Sequence, residues 1–421
     1  MNQAAFPQTL ETPSKKIPLW ILLLFCLIGF DGVLSLSQLS EGGERLIVYF
    51  FRAMTATFFF TYIVNIDNGF RRSLLPLEIV FIAFNLWSIA SALFVSPDQF
   101  LAVLEVSRYM YWTLSFSFVY SAIRRYPQAT QYLCFIFAVS ALYYVYFTIT
   151  KRGEMIDRRG DRVIGINSSY LLLFVFPWLQ VYKNKLIKFL GSLIICATVF
   201  ISFKRGAILT MMVMLCMMWI GGILIYRSKK MQIKFIAREL IVGFFFIAGG
   251  ILIYPHIQAG LEYRMMDIES GSFSGRREIL EELSRSAINS TWYEIWFGNG
   301  LLSTFSVVGR VAHNDWVQVF YDLGIVGVLI FLLIHLNILT LLRSLFKKQS
   351  ELFVPCVAGY TIFICKSLTG GWLHYTSFTF FLALIAVAYA LNETESSITT
   401  FSRKSVADAD HPARQPFYVE H

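Results

Sequence analysis

The sequence lacks most of the features that mark soluble catalytic domains. Only 15% of its 421 residues are charged, and it contains no GxGxxG fingerprint, P-loop, GxSxG elbow or HExxH zinc motif. No cluster of carboxylates with metal-ligand spacing is present either. We therefore predict no cofactor and no metal site.

Cysteine is also scarce. The six cysteines fall inside apolar segments and form no CxxC pair and no Cys–His grouping: Cys26, Cys134, Cys196, Cys216, Cys356 and Cys365. This distribution argues against a disulfide framework and against a zinc site. We interpret these cysteines as small apolar packing residues.

What the sequence has in excess is hydrophobic residues, which make up 56% of the chain. They occur in blocks of about 20 residues, the length of helix that crosses about 30 Å of hydrocarbon, whereas barrel strands need about 10. The first block has no small-residue cleavage site, so we interpret it as a retained span. The pattern predicts an all-α polytopic membrane protein with about 12 spans, at 17–37, 46–66, 77–95, 105–123, 131–149, 164–182, 186–203, 206–226, 240–257, 323–342, 352–368 and 372–391.

Basic residues alternate between the predicted loops. They precede the first span and then occupy every second loop, at Lys15–Lys16, Arg71–Arg72, Arg124–Arg125, 183–188, 227–234 and 343–348. Cytoplasmic loops carry the excess of Lys and Arg, so both termini are predicted in the cytoplasm. These loops account for the net charge of +9, which therefore indicates no nucleic-acid partner.

The same boundaries give the predicted domain organisation. Residues 1–16 form a cytoplasmic N-terminus, 17–257 hold spans one to nine, and 323–391 hold spans ten to twelve. Between them, 258–322 is predicted on the periplasmic side, and the Ser/Thr-rich tail 392–421 is predicted to be cytoplasmic and disordered.

Three predicted outer segments break the charge rule. Segment 150–163 has five basic residues, 258–322 has five arginines, and Lys204–Arg205 lie at the outer end of the seventh span. Positive charge on the outer side needs a local reason, and the simplest reason is an anionic ligand handled there.

Segment 258–322 is longer than a connection between two spans requires. Its stretch 279–288, ILEELSRSAI, has helical periodicity, and FGNG at 297–300 is a turn signal. We predict a small, mostly helical periplasmic subdomain. The alternative is an exposed loop without fixed structure.

A histidine lies where this segment meets the tenth span, in AHNDWVQVFYDLGIVG. Asn314 or Asp315 can cap the helix that follows His313, and a helix N-terminus favours a nearby anion. Neutral imidazole could take a proton from a sugar hydroxyl, and imidazolium could pair with a phosphate. The alternative is a histidine that is merely tolerated at the lipid interface.

Four cations are the candidate anion-binding residues. Arg205, preceded by Lys204, can hold phosphate oxygens with two parallel hydrogen bonds, or can snorkel to the interface without a ligand. Arg276 and Arg277 follow Ser274–Gly275 and fall in the first turn of a helix, where a cation is disfavoured unless an anion is present. The alternative for this pair is a solvated helix face.

Ionisable residues inside other spans have simpler interpretations. Glu105 and Arg108 are spaced to pair with each other on one helix. Asp31 and Arg52 are either functional or held against partner helices. Lys366 and His374 flank the last outer turn and are candidate residues of a site's rim.

The order of these motifs carries a family likeness. KRGAIL at an outer helix end, SGRREIL opening a long outer segment, a GNG turn and then AHNDWVQVFYDLGIVG resemble the bacterial O-antigen ligase/polymerase superfamily, the Wzy-type and WaaL-type membrane glycosyltransferases. The motifs lie in about 130 residues, 200–210 and 258–330 with their flanking spans; elsewhere the likeness rests on hydropathy.

The resemblance implies a GT-C-like helical fold and a glycan donor linked to undecaprenyl diphosphate. It implies metal-independent, inverting transfer, with Arg205 and Arg276 holding the diphosphate and His313 as base. Lys204, Arg277 and Asn314 are the neighbouring candidates for substrate binding. Lys204 departs from the small polar residue common at that position in the family.

The predicted function is an O-antigen or surface-polysaccharide polymerase in the bacterial inner membrane, with its site facing the periplasm. The acceptor would be a second lipid-linked glycan; a ligase, the first alternative, would use lipid A–core. Membrane lipids and a regulator of chain length are further candidate partners. A twelve-span transporter or flippase is the alternative of another class.

Overall fold

The computed structural model describes residues 16–37, 45–65, 73–159, 168–202, 204–225, 276–309, 312–369 and 377–409, with isolated positions at 233, 237, 241, 243 and 244. Within these ranges the regular structure is helical throughout. The helices are α1 Leu19–Ser37, α2 Arg45–Asn65, α3 Pro76–Phe94, α4 Gln99–Arg125, α5 Ala129–Arg159, α6 Ser168–Val181, α7 Lys185–Ile201, α8 Arg205–Ile225, α9 Arg276–Ile288, α10 Trp292–Phe297, α11 Ser303–Val308, α12 Asp315–Lys348, α13 Phe353–Thr369 and α14 Ser377–Ala409.

Five helical stretches are long and apolar enough to cross a membrane: Ile47–Asn65, Pro76–Phe94, Ala129–Thr150, Gly206–Ile225 and Asp315–Lys348. Shorter apolar stretches accompany them at Leu19–Asp31, Ser168–Val181, Phe353–Thr369 and Phe378–Thr394. The predicted helical, multi-span architecture is confirmed at this level, and the count of 12 spans stays a prediction. The predicted ninth span, 240–257, lies almost entirely outside the described residues.

Two helices form the centre of the bundle. Residues 168–179 of α6 and 378–388 of α14 are buried without interruption. The indole nitrogen of Trp178 donates to the carbonyl oxygen of Phe380 at 2.9 Å. The ring of Phe137 contacts the rings of both residues. A helix that is apolar all round belongs in a core. The surrounding helices instead expose large apolar side chains such as Phe50, Leu86, Leu142 and Leu209, as lipid contact requires.

The helices alternate in direction, which gives the bundle two distinct ends. At one end, the Tyr120 hydroxyl donates to Glu393 at 2.5 Å and Lys348 Nζ donates to the carbonyl of Asn392 at 2.7 Å. We call this the basic end, since Arg124–Arg125 and Lys347–Lys348 terminate α4 and α12 there. The opposite end, where α3 and α13 end, carries α10 and α11 and is called the loop end.

Several helices extend beyond their predicted bounds. Helices α4 and α5 cover Gln99–Arg125 and Ala129–Arg159, where spans were predicted at 105–123 and 131–149, so α5 continues into the segment 150–163. The tenth span was predicted at 323–342, but α12 begins at Asp315 and contains a non-helical residue, Gly324. Helix α14 runs to Ala409, through much of the tail predicted to be disordered. That tail has no glycine or proline before Pro412, so no residue in it breaks the helix.

Ion pairs hold α1, α2 and α4 together inside the bundle. The Arg52 Nε–Asp31 Oδ1 distance is 2.8 Å with both side chains buried, so these residues are held against partner helices. The predicted Glu105–Arg108 pair is confirmed at 2.8 Å, and Arg108 also donates to Tyr49 at 3.1 Å.

Candidate functional site

His313 lies in the connection that precedes α12, at the loop end. The Asn314 side chain accepts hydrogen bonds from the backbone N–H groups of Trp316 at 3.0 Å and Val317 at 3.2 Å, which confirms the predicted cap. His313 has a left-handed φ of 53° and is half-buried. Because His313 lies outside the helix, the helix does not force its ring to point toward lipid.

Three polar residues share the inward face of the first turns of α12. Asp315, Gln318 and Asp322 are all buried, and their spacing of three and four residues puts them on one side of the helix. Gln318 Nε2 donates to Asp322 at 3.4 Å. The sequence analysis did not single out Asp322; the D-x-x-Q-x-x-x-D spacing is the signal that could have found it.

Asp322 joins α12 to α11. Its carboxylate accepts from the backbone N–H of Thr304 at 2.8 Å, from the Thr304 hydroxyl at 2.7 Å and from the Ser303 hydroxyl at 2.9 Å. A backbone bond from Leu302 at 3.2 Å completes the set. These are the unpaired groups at the start of α11, so Asp322 caps that helix from a distance.

The predicted FGNG turn is confirmed, and it packs into a kink of α12. Gly324 has φ 70° and ψ −169°, so the helix ladder is broken there. The freed carbonyl of Tyr321 accepts from the N–H of Asn299 at 2.9 Å, and that of Asp322 accepts from Gly300 at 3.1 Å. The indole of Trp87, from α3, donates to Leu323 at 3.0 Å. The carbonyl groups freed by the kink therefore all accept hydrogen bonds from the protein itself, which is required where no water is available.

Glycine is required on both sides of this contact. A Cβ on Gly324 would lie 2.4 Å from the carbonyl oxygen of Trp296, and one on Gly298 would lie 2.3 Å from the carbonyl oxygen of Asp322. These distances are far below van der Waals contact. The two backbones therefore approach as closely as the chain permits, and the kink and the turn form one rigid unit.

Helix α9 packs beside His313. Its buried residues Ile279 and Leu283 form a small core with Ala312 and Tyr321, and the Ser286 hydroxyl lies 2.6 Å from the Tyr321 hydroxyl. The predicted helix at 279–288 is confirmed, and it begins at Arg276. The side chains of Arg276 and Arg277 lie outside the described residues, but their helix is held against the residue that precedes His313.

Arg205 begins α8, and its side chain also lies outside the described residues. A Cβ on the next residue, Gly206, would lie 2.2 Å from Tyr170 Oη and 4.0 Å from Thr369 Oγ1. Lys204 is half-buried. The start of α8 is thus pressed against the start of α6 and the end of α13.

Lys366 lies close to this helix start. It is buried, and its Nζ lies 3.9 Å from the centre of the Tyr170 ring, a cation–π distance. Lys366 was predicted at an outer rim, but it lies inside the bundle, one turn before Thr369. His374, the other rim candidate, lies outside the described residues.

Helix α13 connects the two groups of candidates. The ring contacts Phe331–Phe363 and His335–Tyr360 show that α13 runs antiparallel to the part of α12 that follows Gly324. The part before Gly324 folds back beside it, because Trp316 stacks on His335 at 5.1 Å, so α13 ends near the bend. His313 and Asn314 therefore lie in the loop-end half of the bundle, as do Lys204 and the start of α8. Because the Arg205 side chain lies outside the described part of the chain, its convergence with His313 on one ligand stays a prediction.

In the described part of the chain, no three His, Cys, Asp or Glu side chains are grouped so as to hold a metal ion. No protein-family model matches the chain, and no curated protein matches it in sequence.

Proposed function

We propose that this protein is a membrane glycosyltransferase that takes a glycan from undecaprenyl diphosphate at the periplasmic face of a bacterial inner membrane. The observation that carries the proposal is the pair of helices, α8 and α9, whose described residues begin with Arg205 and Arg276; Ser274–Gly275 before Arg276 predict that the helix starts there. A cation is disfavoured at a helix start unless an anion is bound there. Both starts lie at the loop end, together with His313.

The chemistry needs two kinds of group, and the loop end supplies both. A base must take the proton from an acceptor hydroxyl, whose oxygen then attacks the anomeric carbon, and imidazole titrates in the right range. The bond from that carbon to the diphosphate breaks, and the lipid diphosphate leaves with the electron pair. Arginines can stabilise the charge that develops on it. We assign the first role to His313 and the second to Arg205 and Arg276.

Lys204, Arg277 and Asn314 would complete the surroundings of the substrate. Asn314 already uses its side-chain oxygen to cap α12, so its contribution would be to fix the loop that carries His313. The proposal includes a GT-C-like bundle of about 12 spans with both termini in the cytoplasm.

A polymerase is our first choice, with lipid-linked repeat units as both donor and acceptor. A ligase that transfers the glycan to lipid A–core would use the same donor and the same basic residues. Lipopolysaccharide from a deletion strain separates the two. Loss of a polymerase leaves cores capped with a single repeat, and loss of a ligase leaves bare core with accumulated lipid-linked polymer.

A transporter or flippase is the second candidate, favoured by the buried Asp31–Arg52 pair, because intramembrane charges often line a substrate path. The purified protein in detergent distinguishes the classes. A transferase joins glycans without a sealed compartment, whereas a transporter yields no new glycosidic bond. Absence of product from purified donor and acceptor, with the protein folded, would contradict the transferase proposal.

A further inference from the structure

Helix α10 presents an exposed aromatic surface at the loop end. Trp292, Tyr293 and Trp296 are 72%, 46% and 48% exposed, and we call these three residues the aromatic patch. The helix has only six residues and is fixed by a capping box between Thr291 and Glu294. Large exposed aromatic groups close together indicate a surface that meets something other than bulk water.

The position of α10 relative to the spans fixes its depth. The ring of Phe297, at the end of α10, lies 5.7 Å from the ring of Trp87. Trp87 lies seven residues before the end of α3 at Phe94, which is about 10 Å along the helix axis. Helix α10 therefore lies beside the spans, below their ends, and does not stand above them.

The contact with α12 lies at the same level. Gly324 meets the backbone of Trp296, as described above, and the carbonyl of the preceding residue, Leu323, accepts the hydrogen bond from the indole of Trp87 at 3.0 Å. Helix α10 therefore meets α3 and the bend of α12 at the level of Trp87.

The surface around this level is apolar. At the turn from α3 to α4, Phe94 is 83% exposed and Phe100 is 67% exposed, so lipid-facing side chains extend to the ends of both helices. Helix α9 differs, because its exposed residues include Glu278, Glu281 and Arg285. The exposed face of α9 is therefore compatible with water, whereas the aromatic patch is compatible with lipid.

We propose that α10 is an interfacial helix, with Trp292, Tyr293 and Trp296 inserted among the lipids at the boundary between headgroups and acyl chains. Tryptophan and tyrosine are favoured at that boundary, where an apolar ring and a polar N–H or O–H are both accommodated. The helix then holds the bend of α12 at Gly324 close to headgroup level. This inference does not depend on the reaction that the protein performs.

Tryptophan quenching in lipid nanodiscs tests the insertion. The full chain is compared with W292F/W296F, and the difference in emission between them reports the patch. Nanodiscs contain lipids brominated either near the acyl carboxyl or near the chain terminus, and iodide probes the water. Trp219, 41% exposed within α8, provides the matched control through W219F.

Insertion predicts that the emission of the patch is quenched most by bromines near the acyl carboxyl and little by iodide. The Trp219 contribution should also be quenched by bromolipid and be insensitive to iodide. A patch quenched by iodide and not by bromolipid overturns the proposal. If added glycan then protects the patch from iodide, the patch is a carbohydrate-binding surface. If glycan has no effect on the quenching, the patch is an ordinary solvent-exposed surface.

Discussion

The two histidines His313 and His335 have different surroundings. His313 precedes α12 and is half-buried at the loop end, whereas His335 is buried within the helix between aromatic rings. His335 stacks with Trp316 and Phe363 and lies 3.1 Å from the Tyr360 hydroxyl. Only His313 stands where a substrate at the membrane surface could reach an imidazole.

Replacing His313 by alanine should therefore abolish glycan transfer, with a loss of at least about 100-fold for a missing general base. The amount of folded protein in the membrane should not change. Transfer is measured with purified protein and lipid-linked donor, normalised to the folded fraction. His335→Phe is the control and should retain transfer; unchanged turnover in His313→Ala would remove that residue from the mechanism.

Replacing the arginines at the helix starts by lysine should lower the rate of glycan transfer. Arg205→Lys and Arg276→Lys should each lower transfer by about 10-fold or more, because an ammonium cannot form two parallel hydrogen bonds to a diphosphate. Arg285→Lys is the matched control, since Arg285 is exposed near the end of α9. Initial rates at varied donor concentration provide the measurement, and wild-type rates in both variants would support the snorkelling and solvated alternatives.

Single residues were predictable from sequence where their partners are local. The Asn314 cap and the Glu105–Arg108 pair involve neighbours within three residues, and both were predicted. Asp322 was missed because its partners lie 18 to 20 residues away, at Leu302, Ser303 and Thr304. The D-x-x-Q-x-x-x-D spacing marks an inward polar face of α12, but it does not reveal that Asp322 caps another helix.

At the scale of elements, the junction of α8 with α6 depends on one missing methyl group. Gly206→Ala would bring a Cβ to 2.2 Å from Tyr170 Oη, whereas the next ring atom, Cζ, is 3.6 Å away. We expect the single variant to lower the unfolding temperature and the transfer rate. The double variant Gly206→Ala/Tyr170→Phe should recover much of the loss, because removing the hydroxyl leaves an ordinary contact.

The measurement is a double-variant comparison of unfolding temperatures in detergent, with Tyr170→Phe alone as reference. A double variant no more stable than Gly206→Ala would show that the hydroxyl does not set the spacing between these helices.

The kink of α12 should be equally sensitive. Gly324 occupies a region of φ and ψ that other residues avoid, at a cost of about 1–3 kcal/mol, and a Cβ there would also collide with backbone. Gly324→Ala should lower the unfolding temperature clearly. Gly243→Ala, where a Cβ meets nothing within 4 Å, is the control and should be nearly neutral. Equal stability of both variants would contradict a rigid unit of kink and turn.

At the scale of the molecule, the bundle predicts which ends share a compartment. The contact between Tyr120 and Glu393 joins the end of α4 to α14, so reporters fused after Arg125 and after Ala409 should indicate the same side. A reporter at Ser290, between α9 and α10, should indicate the other side, which the charge distribution predicts to be outside the cell. Fusion activities measure this, and opposite sides for the first two would refute the topology.

The helical class and most spans followed from hydropathy, because each span is a continuous apolar run. The early start of α12 did not follow, since Asp315, Gln318 and Asp322 make its first turns polar. These residues are buried by α11 and the GNG turn, and a hydropathy window centred on α12 includes neither of them. Which helices are central was equally hidden, because lipid-facing and core-facing residues are both apolar.

The central position of α14 has a consequence for biosynthesis. Helix α14 is the last of the described spans to leave the ribosome, yet it fills the middle of the bundle and packs on α4 and α6. The earlier spans must enter the bilayer around a space that is filled only at the end of translation. A chain truncated before α14 would then present an open interior to the proteases that survey the membrane, so we expect rapid clearance and not a smaller working protein.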